Sequence, residues 1–192
     1  MGNVYTHRLD AGAVTILFGW ADGLPEIIYF GDSLPHDLDA EMFARSRSEP
    51  QGHATLDKSA PVSMQPEIAR GFMGHPGLIA HRTGTDQPGW AGLFTHQAHT
   101  TRDHGVTFHC LDAWRGLSLD IECDLHPGSG VATLRSRLTN TGDADCVVDW
   151  MSAPVLPVPQ HLCEYLHFHG RWCAEFSVDR RTVPMGMVKA EN

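Results

Sequence analysis

The sequence predicts an all-β fold: an antiparallel two-sheet β-sandwich with few or no helices. Three observations predict it. Residues Leu117 to Leu125 alternate apolar and polar without a break, the period-2 signature of a strand with one face on a core. Between Leu93 and Met151, strand-like runs are separated by turn residues every 8–12 positions, as sandwiches and barrels require. The only helix-like run, Asp37 to Ala44, is too short and weakly periodic to set the fold class.

Taken in order, Val14–Trp20 is rich in β-branched and aromatic residues, and Glu26–Gly31 repeats that character. The segment Ala21-Asp22-Gly23-Leu24-Pro25 between them reads as a turn, so the two runs predict a hairpin. Residues Pro61 to Gly92 hold four prolines and six glycines and are expected to be loop. Gln97–Thr101 and Val106–Asp112 flank a tight turn at Arg102-Asp103-His104-Gly105. After Leu125, Pro127-Gly128-Ser129-Gly130 turns the chain into Val131–Asn140. Asn140-Thr141-Gly142-Asp143 turns it again into Cys146–Met151, giving an expected meander. Prolines 154, 157 and 159 interrupt pairing. Tyr165–His169 and Glu175–Val183 are the last expected strands.

Composition narrows function. The 192 residues suit one domain, here the single sandwich 1–192, and a hydrophobic fraction of 42% allows a sizeable core. A net charge of −9 and the lack of a basic run argue against binding to nucleic acid or to an anionic membrane. The polar segment Met1–Asp10 lacks the apolar stretch of a signal peptide, and no apolar run approaches the roughly 20 residues of a membrane helix. The five cysteines, an odd number without CxxC spacing, read as buried free thiols in a reducing compartment. A cytoplasmic location is expected.

No constellation outweighs a structural reading of the same residues. His167 and His169 share one strand face and are the weak alternative for a metal site. A pair without a third ligand is insufficient, so neither metal nor cofactor is expected. His96, His99, His104 and His109 are spaced by odd gaps and read as scattered surface residues. Asp120, Glu122 and Asp124 could supply paired carboxylates but read as a solvated outer face. GxSxG, GxxxxGK[ST] and GxGxxG are all absent, and no catalytic residue is assigned. Of the five tryptophans, Trp90 and Trp172 are expected to be exposed, and an exposed ring suits the apolar face of a sugar.

The segment Leu166-His167-Phe168-His169-Gly170-Arg171-Trp172-Cys173-Ala174-Glu175 resembles the Gly-Arg-Trp-x-x-Glu stretch of family 36 glycoside hydrolases, the α-galactosidases. Asp179–Gly186 resembles that family's basic pair and Pro-x-Gly, and Glu26–Pro35 its early strand, aromatic-Gly and Leu-Pro element. Leu138–Asp143 resembles one of its turns. The elements occur in the family's order over about residues 10–190. The resemblance implies the family's N-terminal β-supersandwich, a galactose-mutarotase-like fold, as an N-terminal fragment of an enzyme whose catalytic (β/α)₈ barrel is absent. It implies a parent that hydrolyses terminal α-galactosides. The domain itself is expected to be inactive alone, to pack on the barrel, to support a homo-oligomer and to shape the active-site rim. Arg171, Trp172 and Glu175 are the implied interdomain anchors; the competing reading is a core tryptophan beside a local Arg–Glu pair. His75 and Trp90 are weak candidates for substrate binding. In the family's long loop an acidic residue and an arginine precede Pro-x-Leu. Gly71-Phe72-Met73-Gly74-His75-Pro76-Gly77-Leu78 keeps neither, so no substrate-contact role carries over. The alternative is a stand-alone carbohydrate-binding or mutarotase-like sandwich that would draft Glu164, His167 and His169.

Overall fold

The computed structural model describes residues 3–47, 62–86, 88–158 and 162–184. They fall into two compact units, 1–156 and 157–192, which are treated separately. Pro159 of the expected proline break, and Met185 and Gly186 of the Pro-x-Gly stretch, lie outside the described residues.

In the first unit, β1 (Tyr5–Ala11), β2 (Val14–Trp20) and β3 (Glu26–Asp32) form an antiparallel three-stranded sheet. The β2–β3 hairpin is the expected one. β1 was not expected, because its sequence is mostly polar and it buries only Leu9 and Ala11. Its turn needs Gly12, which sits at φ 59°, a left-handed conformation that favours glycine. A seven-residue helix, α1 (Ala40–Ser46), follows, with the Asp39 carboxylate accepting from the Met42 N–H at 2.9 Å.

The expected loop 61–92 contains a strand, β4 (Leu78–Arg82), as well as a 3₁₀ turn at Ile68–Arg70. Five residues between glycines carry too little periodicity to announce themselves; pairing with a distant partner creates the strand. β5 (Thr95–Arg102), β6 (Gly105–Asp112), β7 (Leu117–Leu125) and β8 (Ala132–Asn140) form a four-stranded antiparallel meander, as expected. β9 (Cys146–Met151) corrects the meander. It leaves that sheet and pairs antiparallel with β4.

The two large sheets share one core. Phe18 and Trp20 from β2 meet Phe108 from β6 at ring-centroid distances of 5.2 and 5.4 Å. Every odd position of β7 from Leu117 to Leu125 is buried beneath them and every even position is partly exposed, the phase the sequence predicts. This is a β-sandwich. The second unit is one hairpin, β10 (Glu164–Arg171) with β11 (Ala174–Thr182).

Only Cys110 and Cys123 are buried. Cys146 is half-buried, and Cys163 and Cys173 are exposed, which corrects the expectation that the thiols are internal. Burial pushes the Cys110 and Cys123 thiols up to about 12. Among the described residues, no helix is long and apolar enough to cross a membrane.

Candidate functional site

β10 and β11 place the anchor residues at a hairpin tip. Arg171 pairs with Ala174, leaving Trp172 and Cys173 as the turn, with Cys173 at φ 64°. The Glu175 carboxylate accepts from the Cys173 N–H at 3.0 Å, bracing that turn. Arg171 makes no ion pair among the described residues, so the local Arg–Glu pair is not formed. Trp172 is 89% exposed and is not a core residue.

Strand parity divides the rest of the hairpin. His167 and His169 stack at 6.2 Å on one face. Opposite His167 lies Asp179, whose carboxyl is held below its usual range chiefly by a 2.5 Å bond from Arg181. No group of three potential ligands is arranged to hold a metal among the described residues. Glu164 has even parity, so it projects to the opposite face, where it pairs with Arg180 at 3.2 Å. The mutarotase-like grouping of Glu164 with His167 and His169 is therefore not assembled. That opposite face also carries Leu166, Phe168, Phe176 and Val178, all exposed, with Phe168 facing Val178 across the strands and touching Phe176.

His75 and Trp90 belong to the first unit, and their rings pack on different partners. His75 meets Trp150 edge-on at 4.9 Å. Trp90 is 65% exposed and stacks on His81 at 5.2 Å. His81 Nδ1 is 2.9 Å from an Asp149 carboxylate oxygen. Asp149 reaches it because the β4–β9 register shifts between Ile79 and Ala80, leaving Asp149 as the extra residue.

Asp120, Glu122 and Asp124 do form an outer face, and two of the three are bonded across the strands. Asp120 bonds His109 at 2.8 Å, Asp124 bonds Arg102 at 2.6 Å, and Glu122 lies opposite Arg135. His109 Nε2 also contacts the Thr100 hydroxyl at 2.9 Å. The line of hydroxyl, imidazole and carboxylate resembles a hydrolytic relay, but these side chains serve as a cross-strand ladder on a sheet face.

His96 and His99 are not scattered. A register shift between His96 and Ala98 inserts one residue, so an odd gap becomes an even one and both rings reach the same edge of the core. His99 lies 5.4 Å from His7 and 5.7 Å from His96, and Trp20 packs on both rings of β5. The Nε2 atoms of His7 and His96 are buried without hydrogen-bond partners among the described residues. Burial first, and the neighbouring His99 second, lower the pKa of both rings. Sequence reasoning missed this cluster because His7 comes from an unexpected strand.

Fold and side chains thus define a β-sandwich in the first unit and, in the second, a two-stranded hairpin with an exposed apolar face. The glycosyl hydrolase family 36 N-terminal domain matches residues 23–192, and the chain belongs to that family. An α-galactosidase of Escherichia coli is 32% identical over 155 residues, covering 81% of this chain and 21% of that protein. The crystal structure of the family 36 α-galactosidase AgaA from Geobacillus stearothermophilus superposes with a TM-score of 0.75 at 14% identity, covering 95% of this chain and 28% of that one. The α-galactosidase from Lactobacillus brevis gives a TM-score of 0.77 at 15% identity, covering 93% and 27%. At such identities the superpositions bear on the fold alone. The chain spans between a fifth and a third of the length of these relatives.

Proposed function

We propose that this chain is a non-catalytic N-terminal domain of an enzyme hydrolysing terminal α-galactosides, with residues 1–192 acting as one sandwich domain. It packs on the catalytic barrel of the same protein, supports a homo-oligomer and shapes the rim of the active site, in the cytoplasm. Arg171, Trp172 and Glu175 anchor it between domains, and His75 and Trp90 sit on the substrate side. The observation that carries the reading is the β10–β11 hairpin. A two-stranded hairpin is marginal in water by itself, yet this one exposes Leu166, Phe168, Phe176 and Val178 on one face and Trp172 at its tip. Such a patch marks a surface that a partner covers. The E. coli relative, an α-galactosidase, supports the substrate class. Purified 192-residue chain is expected to release no chromophore from an aryl α-galactoside. Turnover above the protein-free rate would overturn the reading.

A further inference from the structure

A cavity of about 190 Å³ opens in the first unit between segment 65–68, β4 and the loop before β5. Ile79 and Phe94 line its apolar side. Three buried polar side chains, Gln65, Glu67 and Arg115, converge on it, and Trp90 lines it while remaining exposed to solvent. A concave apolar site with a few convergent polar groups is the ordinary form of a small-molecule site.

The polar groups say what kind of molecule fits. Arg115 is only 3% exposed. Its Nε donates to Asp112 at 2.7 Å, and its Nη1 reaches the carbonyls of Ala80 and Gly89 at 3.4 Å, while Nη2 is buried with no hydrogen-bond partner among the described residues. Gly92 is required beside it, because the Nη2 atom occupies the place where a Cβ would stand. Glu67 accepts the Phe94 N–H at 2.7 Å on one oxygen and Arg70 Nε at 3.0 Å on the other. Each oxygen keeps a lone pair for a further donor. The two charged groups that line it are already compensated, Glu67 by Arg70 at 3.0 Å and Arg115 by Asp112 at 2.7 Å. An ion would arrive uncompensated. A neutral molecule with hydroxyls donates to the Glu67 carboxylate. Trp90 offers a flat apolar ring at the mouth, steadied by His81 behind it, which suits the C–H face of a sugar. The volume is below the roughly 300–1,000 Å³ of pockets for drug-sized ligands, which limits the occupant to a single ring.

We propose that this cavity binds one neutral pyranose, stacked on Trp90 and hydrogen-bonded to Glu67. The inference rests on the reading of Trp90 as a substrate-side residue, but not on hydrolysis by any parent enzyme. Titration calorimetry of the 192-residue chain with D-galactose tests it. Saturable binding is expected, weakened about tenfold by Trp90→Ala, a substitution at an exposed ring that leaves the far-ultraviolet circular dichroism unchanged. The indole N–H resonance of Trp90 is expected to shift with the same midpoint as the heat. Absence of saturation, or binding unchanged in Trp90→Ala, overturns the proposal. So does displacement of galactose by sodium acetate, because the cavity would then be an anion site. Binding and turnover are separate readouts: loss of the first leaves the domain assignment standing, and appearance of the second leaves the cavity standing.

Discussion

The sandwich and the β10–β11 hairpin are built from the same kind of strand but use it in opposite ways. In the sandwich, the apolar face of each large sheet is buried against the other, and Phe18, Phe108 and Leu119 have no exposed surface. In the hairpin, strand parity sorts side chains just as cleanly, with Leu166, Phe168, Phe176 and Val178 on one face and His167 and His169 on the other, yet the apolar face stays open and Phe176 is 82% exposed. Amphipathic patterning therefore creates a face without specifying what covers it. In the sandwich the cover is the same unit; in the hairpin it is an element that the described residues of the unit do not supply.

The contrast is sharpest in the thiols. Cys110 and Cys123 lie under the sandwich with pKa pushed to about 12, whereas Cys163 and Cys173 flank the hairpin strands in the open. Labelling with a disulfide reagent at pH 8 is expected to modify Cys163 and Cys173 at once and to spare Cys110 and Cys123 until denaturant is added. Next in size is the core itself. Phe108→Ala removes a ring packed on Phe18 and Trp20, and is expected to cost about 3–5 kcal/mol in denaturant unfolding.

A smaller effect follows from the histidine edge of the sandwich. His7 and His96 have folded-state pKa values below their unfolded ones, so the unfolded chain binds more protons. Stability is thus at its plateau above about pH 6.5 and falls as pH drops below that value. Glu26 and Glu67, whose pKa values burial raises, act with the opposite sign in a lower window. Unfolding midpoints between pH 7 and pH 5.5 are expected to drop, and His96→Gln to flatten the dependence. The smallest effect belongs to the hairpin. Phe168→Ser removes a half-exposed ring and is expected to change the stability of the chain by no more than about 0.5 kcal/mol.

The same contrast explains what the sequence made legible. The meander from β5 to β8 could be read because each strand is local to its partner and one face is buried, so alternation is enforced. β4 and β1 could not, since each draws its strand character from pairing more than from its own composition. The assignment of β9 to the meander failed for a related reason: nothing in Cys146–Met151 distinguishes the sheet of β8 from that of β4. The histidine edge was hidden by one bulge residue near Gln97, which inverts a parity argument. The exposure of Trp90 and Trp172 was legible from their neighbours, but that of Trp114 and Trp150, at 67% and 41%, was not, nor was the cavity beside Trp90. Gln65, Glu67 and Arg115 converge there from segments up to 50 residues apart, and only the fold brings them together.

Amide hydrogen exchange of the 192-residue chain tests the central contrast most directly, because it reads each backbone bond separately. Protection in β6 and β7 that tracks global unfolding, with β10 and β11 exchanging at close to the rate of an unfolded chain, is the predicted result. Protection of the hairpin equal to that of β6 and β7 would contradict it, because the hairpin would then already have its cover.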